Sequence, residues 1–246
     1  CRDLNPQAVW GSRKTRSDAA RQDRLETRIK RAASGDSLRA VKAGVCAGKR
    51  ATVSPMLNTK HIRMRFEKAA DTFDNADFVH AATREGLLAR LEPLLVKANT
   101  VVDLGSATGA SHRQLHKRFP KARLIAVDIA RDMLRQARRR KAWLAKTSYV
   151  QADACALPFA DESVDVIFSN QMLPWIADLD ALFGEVARVL RKGGVFAFAS
   201  LGPDSLLEIR RAWREVDDGA HVSLFPDMHN LGDGLVNAGL RDPVLD

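Results

Sequence analysis

The amino-acid sequence predicts a doubly wound α/β fold with a mostly parallel sheet, because apolar runs of strand length alternate with helical segments over most of the chain. The predicted strands lie at residues 100–103, 123–128, 148–153, 164–169 and 194–200. An aspartate closes each of the first three, at Asp103, Asp128 and Asp153. Parallel strands present their carboxyl ends at one edge of a sheet, so these acids are predicted to lie along the edge where such folds bind ligands.

The first predicted strand opens into a loop of small residues. Val101 and Val102 are β-branched and indicate a buried strand. Gly105 and Gly109 let the backbone turn sharply without a Cβ facing a ligand. The helix predicted to follow at 108–119 would present free N–H groups at the same place. We therefore predict a cofactor site at this loop.

The acids around the loop narrow the choice of ligand. Asp128 follows the loop by about 20 residues, the position at which related sheets hydrogen-bond ribose hydroxyls. Phosphate-binding loops fit poorly, because no Lys-Ser/Thr pair follows the glycines and the three-glycine nicotinamide pattern is absent. Asp103 would also repel a pyrophosphate and suits a cationic ligand. A single aspartate is ordinarily a turn former or helix cap, but its recurrence at three strand ends favours a ligand site.

Helical segments fill the space between the predicted strands. They are predicted at residues 108–119, 131–145, 178–191 and 204–217. Before the first strand, Phe66, Ala69, Ala70 and Phe73 have helical spacing, and a second helix is predicted to end near Leu95. The opening helix is expected either to pack on the sheet or to act as a lid over the cofactor.

The last predicted elements carry specific boundary signals. Lys192-Gly193-Gly194 is expected to end the helix at 178–191 through a left-handed glycine, and the run VFAFAS after it is predicted to be a fully buried strand. Asp204 is the expected N-cap of the helix at 204–217. The buried side of that helix is predicted to hold Leu207, Ile209, Ala212 and Trp213.

The loop and its acids resemble the first motif of the class I S-adenosylmethionine-dependent methyltransferases, whose Rossmann-like sheet carries an acid followed by Gly-x-Gly-x-Gly. The matching residues are Asp103, Gly105, Ala107 and Gly109. Ala107 replaces the middle glycine, and its methyl group is expected to narrow the loop or to demand a negative φ. We expect this departure to affect cofactor affinity rather than the fold.

This resemblance implies S-adenosylmethionine as the cofactor and assigns further residues to it. It places the loop backbone near the methionine moiety, Asp128 on the ribose hydroxyls and Met133 near the adenine. The adenine edge would meet Asp153 and Ala154, and Asn170 would line the side of methyl transfer. The cofactor residues beyond the loop are thus Asp128, Ile129, Met133, Asp153, Ala154 and Asn170.

Charge and composition divide the chain of 246 residues into two parts. Residues 1–55 hold 13 Lys and Arg against 5 Asp and Glu, and they show no sustained apolar period. We predict a basic, disordered extension there; a nucleic-acid arm or a transit peptide fits less well. Because Met56 stands just before the first predicted helix, an upstream in-frame extension is favoured over a natural tail. Residues 56–246 are predicted to be the methyltransferase domain.

The predicted domain is incomplete at its C-terminal end. The class that it resembles usually completes its sheet with two further strands, of which the sixth is barely begun at RDPVLD and the seventh is missing. An unpaired neighbouring strand would expose ladder groups and apolar surface. We therefore expect lower stability than in an intact domain.

Three longer segments resemble the BioC type of malonyl-acyl carrier protein O-methyltransferase from biotin synthesis. They are RFEKAADTFDNADFVH, FSNQMLPWIADL, and LGPDSLLEIRRAWREVD with HVSLFPDMHNLGDGLVNAGL. Enzymes of this family esterify the free carboxylate of a malonyl thioester, which implies malonyl-acyl carrier protein as the partner. Phe73 stands where the family often carries a tyrosine, so a hydroxyl is missing there.

A carboxylate acceptor requires no general base from the site, because it is already ionised near neutral pH. It needs a cation and a dry cleft: the candidate cations are Arg210 and Arg211, the candidate walls are Trp175 and Trp213, and Phe73 is also assigned to the substrate. Solvated arginines and core aromatics are the structural alternatives. The basic run at 138–141 is a candidate contact for an acidic carrier protein, or simply a solvated helix end.

Cysteine and histidine usage favours a cytoplasmic protein without a metal. Cys1, Cys46 and Cys155 lack the paired spacing of a disulfide or metal framework, and no His-x-x-x-His occurs. Cys155 is predicted to pack as a small apolar residue rather than to act as a nucleophile. No apolar run approaches the ~20 residues of a membrane span. We expect a monomer with neither nucleic acid nor membrane as a partner.

Other functions share the same scaffold. The GPDSLLEIR segment also resembles mitochondrial complex I assembly factors, which are associated with arginine hydroxylation on a protein subunit. A methyltransferase-like module without turnover and a methyltransferase for another small molecule are further alternatives, because a fold does not determine a function.

Overall fold

The computed structural model describes residues 58–140, 146–219 and 221–244. Its strands are β1 (Thr100–Leu104), β2 (Arg123–Asp128), β3 (Thr147–Gln151), β4 (Val164–Asn170) and β5 (Leu190–Ala199). Its helices are α1 (Thr59–Ala69), α2 (Phe78–Leu91), α3 (His112–Arg118), α4 (Arg131–Arg139), α5 (Leu179–Val189), α6 (Leu207–Arg214) and α7 (Met228–Asn237). Short 3-10 turns lie at Phe73–Ala76 and Leu173–Trp175. The basic extension predicted at 1–55 lies outside the described residues.

The five strands form one parallel sheet in the order β3-β2-β1-β4-β5, which confirms the predicted doubly wound fold. Val102 of β1 pairs with Ile125 of β2 on one side and with Ile167 of β4 on the other. The order of the strands reverses between β1 and β4. In an open α/β sheet the crevice at such a switch point is the usual ligand site.

Helices cover both faces of the sheet, which is why the sequences of β1 and β4 are nearly continuous apolar runs. Successive residues of a strand face opposite sides, and Val101 and Val102 accordingly belong to different apolar clusters. Val102 packs in one cluster with Phe183 of α5 and Leu231 of α7. Val101 packs in the other, together with Leu91 of α2. Each layer of helices thus supplies one half of the core.

Several predicted boundaries are wrong, and the largest error lies at the α5–β5 junction. Helix α5 ends at Val189 and the chain enters β5 at once, so Gly193 does not cap the helix. Its positive φ of 75° lies within β5, where the register to β4 shifts between Val164 and Val166. A β-bulge, like a helix end, can require a glycine with a positive φ, so the glycine signal does not distinguish the two. The side chains of β5 are mostly part-exposed rather than fully buried, because β5 is the edge strand of the described sheet.

The predicted helix at 204–217 is shorter and less buried than its pattern indicates. Leu206, with a φ of 59°, and not Asp204, precedes the first helical residue. Ile209 and Trp213 are 49% and 42% exposed, so the predicted buried side of this helix is wrong. The predicted helix at 131–145 ends at Arg139, and residues 141–145 are outside the described part.

The C-terminal part of the described chain adds α7 to the core but no further strand. Residues 241–244 take no regular structure, so no sixth strand begins within the described part. Across the described residues, every helix is too short or too polar to cross a bilayer.

Candidate active site

A cavity of about 290 Å³ opens at the carboxyl edge of the sheet, at the switch point between β1 and β4. The cavity is walled by the loops after four strands and covered by Ile62 and Phe66 of α1. The lining residues that the sequence assigned to the cofactor are Gly105, Ala107, Asp128, Ile129, Asp153, Ala154 and Asn170. The three predicted acids share this edge, although Asp103 lies inside β1 and Asp153 lies two residues beyond β3.

A second cavity of about 40 Å³ adjoins the first. Five residues line both cavities: Phe73, His80, Gly105, Ala107 and Asn170. The smaller cavity is further lined by Asp77 just before α2, by Arg84 of α2, by Asp103 of β1, and by polar side chains of the segment after β1, namely Ser106, Thr108 and Ser111. The two cavities therefore adjoin each other; the larger is mainly apolar, and the smaller is lined mostly by polar residues.

Three of the predicted cofactor residues stand away from the larger cavity. Asp103 is only 2% exposed, accepts a hydrogen bond from the Ser111 hydroxyl and borders the smaller cavity. Gly109 lines neither cavity, and Met133 is fully buried in a cluster with Ala70 and Ala130. Gly109 has a packing role instead, since a Cβ there would lie 2.6 Å from the His112 ring.

Gly105 is required by both conformation and space. Its φ is 73°, and a Cβ at this position would lie 2.8 Å from both Cβ and Cγ of Met172. The N–H groups of Gly105 and Ser106 both donate to the carbonyl of Val127, at 2.9 Å each. These bonds hold the loop against the end of β2, beside Asp128.

Ala107 adopts the left-handed conformation with a φ of 45°, so the expectation that it demands a negative φ is wrong. Its N–H donates to Oδ2 of Asp128 at 2.8 Å, which holds the loop in place. A left-handed alanine costs roughly 1–2 kcal/mol. Gln171, which also lines the larger cavity, has a φ of 59°. Backbone strain of this kind concentrates at functional sites.

Ala107→Gly is expected to retain or raise cofactor affinity, because glycine adopts the left-handed region without steric cost. In the free energy of unfolding, the relief of backbone strain is offset by the greater freedom of glycine in the unfolded chain, which costs about 0.4–1 kcal/mol. Calorimetric titration and thermal unfolding of the two proteins measure both effects. A loss of affinity of more than about tenfold would show that the Ala107 methyl group itself contacts the ligand.

Asp128 is the most strongly perturbed acid of the site. Its Oδ2 accepts the Ala107 N–H and its Oδ1 accepts the Ala130 N–H, each at 2.8 Å. Burial raises the pKa of Asp128 to about 6, and Asp103 nearby adds to the shift, while these backbone donors oppose it. The carboxylate faces the cavity with free lone pairs, as an acceptor for ligand hydroxyls must.

The affinity of the site for a ribose is expected to fall as the pH is lowered through about 6, because protonated Asp128 loses acceptor capacity. The loss from pH 7.5 to pH 5 would be about tenfold. Titrations of cofactor at these pH values test this, with Asp128→Asn as the pH-independent comparison.

The pH dependence of folding stability has the opposite sign. Because the pKa of Asp128 is raised in the folded protein, its ionised form opposes folding. The protein therefore gains stability from this group as the pH falls from about 6 toward 4.

The polar residues of α2 at the smaller cavity were not predicted from the sequence. The Nε of Arg84, the Nδ1 of His80, the Oγ of Ser106 and the Oδ1 of Asn170 are buried and have no hydrogen-bond partner within the described structure. Arg84 also donates through Nη2 to Asp77 at 3.0 Å. Burial lowers the pKa of His80, which favours a neutral imidazole. The sequence signal that indicates them is the i, i+4 spacing of His80 and Arg84, which places both residues on one face of a helix.

Of the aromatic residues assigned to the acceptor, Phe73 and Trp175 line the larger cavity, whereas Trp213 lines neither cavity and stacks on His221 with 4.0 Å between ring centroids. Trp175 packs edge-on against Phe66 with 5.1 Å between ring centroids, and Phe73 lies 5.3 Å from the ring of His80. Cys155 lines the same cavity and packs against the core, as predicted for a small apolar residue. Burial raises the pKa of its thiol to about 12.

Arg210 and Arg211 line neither cavity, so the structure does not bring these two candidate cations to the site. The Arg210 guanidinium donates to the backbone carbonyls of Pro203, Ser205 and Ser223 at 3.3–3.4 Å, and so ties the loops around α6 together. Arg211 is exposed to solvent. Among the described residues no Arg or Lys lines the larger cavity, whose charged walls are acidic.

Comparison with known proteins agrees with this architecture. The methyltransferase domain family matches residues 102–198. The fold is also that of a SAM-dependent methyltransferase from Thermotoga maritima, with a TM-score of 0.57 and 22% identity over 74% of this chain and 82% of that one.

Two curated relatives are much closer in sequence. The malonyl-[acyl-carrier protein] O-methyltransferase of Halorhodospira halophila is 41% identical over 77% of this chain and 64% of its own length. That of Gallionella capsiferriformans is 38% identical over 78% of this chain and 68% of its own. The chain thus spans about two thirds of the length of these relatives. By this similarity, the chain belongs to the family of malonyl-[acyl-carrier protein] O-methyltransferases.

Proposed function

We propose that this protein transfers a methyl group from S-adenosylmethionine to the free carboxylate of a malonyl thioester carried on acyl carrier protein. The resulting ester would disguise the malonyl group as a substrate for fatty-acid elongation, as in biotin synthesis. The observation that carries the proposal is the pair of adjoining cavities: unsatisfied polar atoms line the smaller one, and Asp128 and apolar side chains line the larger one, which suits the two ends of the cofactor. Membership of the family supports the acceptor.

The smaller cavity fits the zwitterionic amino-acid end of S-adenosylmethionine. Arg84 offers a guanidinium to a carboxylate, and Asn170 Oδ1 offers a buried acceptor to an ammonium group. Buried polar atoms without partners are costly in a folded protein, so their concentration here is explained by a polar ligand. Ser106 Oγ and His80 Nδ1 add two more such atoms.

The larger cavity fits the nucleoside. Asp128 would accept the ribose hydroxyls, and Ile129, Asp153 and Ala154 would border the adenine. When bound, S-adenosylmethionine supplies a methyl group on a sulfonium, an electrophile that needs no metal or acid. The acidic walls Asp128, Asp153 and Asp178 favour a positively charged ligand over an anionic one.

On the acceptor side the residues of this chain mainly exclude water and align the reactants. Ile62, Phe66, Phe73 and Trp175 form an apolar wall, which strengthens electrostatic attraction between the bound charges. Alignment of two bound reactants supplies most of the rate enhancement that a displacement at carbon requires. The carboxylate acceptor is already ionised, so the neutral His80 is not needed as a base.

The proposal is tested by incubating the protein with S-adenosylmethionine and malonyl-acyl carrier protein and weighing the product. One added methyl group is expected on the malonyl form, and none on the acetyl form, which has no free carboxylate. Calorimetry on the same protein measures cofactor binding independently. Failure to bind S-adenosylmethionine at millimolar concentration would reject the cofactor. Binding without transfer to the malonyl group would reject the acceptor.

The Arg84→Met variant distinguishes binding of the methionine end of the cofactor from binding of its nucleoside end. Loss of a charged hydrogen-bond donor is expected to weaken S-adenosylmethionine by about 10- to 100-fold, while adenosine, which has no methionine moiety, binds unchanged. Calorimetric titration with both ligands measures this. An equal loss for adenosine would instead assign Arg84 a general structural role. Arg90→Met, a substitution near the exposed end of α2, is the matched control.

A further inference from the structure

Helices α1 and α4 together form a strongly basic surface beside the larger cavity. The two helices pack through an apolar cluster that includes Ala69 and Ala70 on one side and Met133 on the other. The exposed cations on them, and just after α4, are Lys60, Arg65, Lys68, Arg131, Arg135, Arg138, Arg139 and Arg140. We call this set of residues the α1–α4 basic surface.

Nearby acids neutralise only part of this charge. Arg135 pairs with Asp132, and Arg140 pairs with Asp74. No acidic side chain of the described chain forms an ion pair with Lys60, Arg65, Lys68 or Arg131. Maintaining so many like charges on two adjacent helices opposes folding by self-repulsion. An acidic partner would remove this cost.

The surface is positioned at one rim of the larger cavity, because α1 also supplies Ile62 and Phe66 to the cavity lining. Another part of the rim, at the start of α5, has the opposite charge. Asp178 lines the cavity there, and Asp178 and Asp180 are both exposed. The entrance is therefore basic on one side and acidic on the other.

We propose that the α1–α4 basic surface binds an acidic face of the acyl carrier protein, while the acidic rim of α5 sets the direction in which the carrier lies. This inference rests on the proposed function, since it concerns how the malonyl group is delivered. Complementary charge speeds association and selects the orientation of a partner. A nucleic acid fits the entrance less well, because a uniform polyanion lying across it would meet Asp178 and Asp180.

The test compares a carrier-bound acceptor with a carrier-free one. In the double variant Arg65→Glu/Arg131→Glu, the kcat/KM for malonyl-acyl carrier protein is expected to fall about tenfold or more at low salt. The kcat/KM for malonyl-pantetheine and the Kd for S-adenosylmethionine should stay unchanged, because neither residue lines a cavity. Rising salt should lower turnover of the carrier substrate by the wild-type protein and affect the variant much less.

The matched control is Lys117→Glu/Lys121→Glu, which changes the net charge equally. Both lysines are exposed, and Lys121 lies before β2, at the edge of the sheet opposite the cavity. An equal loss in the control, or no loss in the Arg65/Arg131 variant, would overturn the proposed surface. A loss for malonyl-pantetheine as large as that for the carrier would do the same.

A direct measurement of carrier binding tests the α1–α4 basic surface independently of the proposed reaction. Calorimetry with malonyl-acyl carrier protein should show binding to the wild type and to the lysine control, and much weaker binding to the Arg65/Arg131 variant. That result supports the surface even if no methyl group is transferred, an outcome that would reject the reaction alone. Tight binding of duplex DNA with no binding of the carrier protein would overturn the surface in favour of nucleic acid.

Discussion

Asp128→Ala is expected to weaken S-adenosylmethionine binding by about 10- to 100-fold, because it removes a charged acceptor from the place where the ribose hydroxyls would lie. The substitution also leaves the Ala107 and Ala130 N–H groups without their acceptor. Asp128→Asn restores one acceptor oxygen and is expected to lose less. Calorimetric titration of the three proteins measures the difference.

The matched control is Asp132→Ala, which removes an acid from the neighbouring helix α4 without touching the cavity. Asp132 pairs with Arg135 on the surface, and such pairs contribute little to stability. Unchanged cofactor affinity in Asp128→Ala would remove Asp128 from the site. It would also leave the raised pKa of this residue without a functional explanation.

Gly105→Ala is expected to lower cofactor affinity and stability together. The new Cβ would lie 2.8 Å from two atoms of Met172, so the chain after β4 or the loop after β1 must move. The left-handed φ adds roughly 1–2 kcal/mol of backbone strain. We expect a loss of at least about tenfold in affinity, since a shifted loop no longer matches its ligand. Calorimetry and thermal unfolding report the two effects separately.

Gly184→Ala provides the comparison for this loop substitution. Gly184 lies within α5, and nothing stands within 4 Å of the position that its Cβ would take. Alanine in the interior of a helix is favoured over glycine by about 1 kcal/mol, so this variant should be as stable as the wild type or more stable. If Gly105→Ala behaved in the same way, the close contact with Met172 would not constrain the loop.

The sheet and one end of the site were predictable because their signals are local. An apolar run, an acid and two glycines in sequence indicate a strand that ends in a ligand loop, and the structure places Gly105 and Asp128 at one cavity. Gly109 satisfies the same motif for another reason, since its missing Cβ makes room for His112. The motif alone does not distinguish a ligand contact from a packing contact.

The polar end of the site was not predictable, because it is assembled across distant parts of the chain. Asn170 at the end of β4 donates to the His80 carbonyl of α2 at 3.0 Å, although 90 residues separate the two. Arg84 owes its place at the smaller cavity to the packing of α2 on the sheet. Arg210 shows the converse: its sequence context suggests a cation available to a ligand, whereas its Nη1 and Nη2 donate to the backbone carbonyls of nearby loops.

Cys155 bears on the chemical selectivity of the cavity. A thiolate attacks alkyl donors far more readily than a carboxylate does, and this sulfur stands in the same wall as the residues proposed to hold an alkylating sulfonium. Burial and the acids around it raise the pKa of Cys155 to about 12, which disfavours the thiolate at neutral pH. In the proposed reaction, a neutral thiol would compete poorly with the carboxylate of the acceptor for the methyl group.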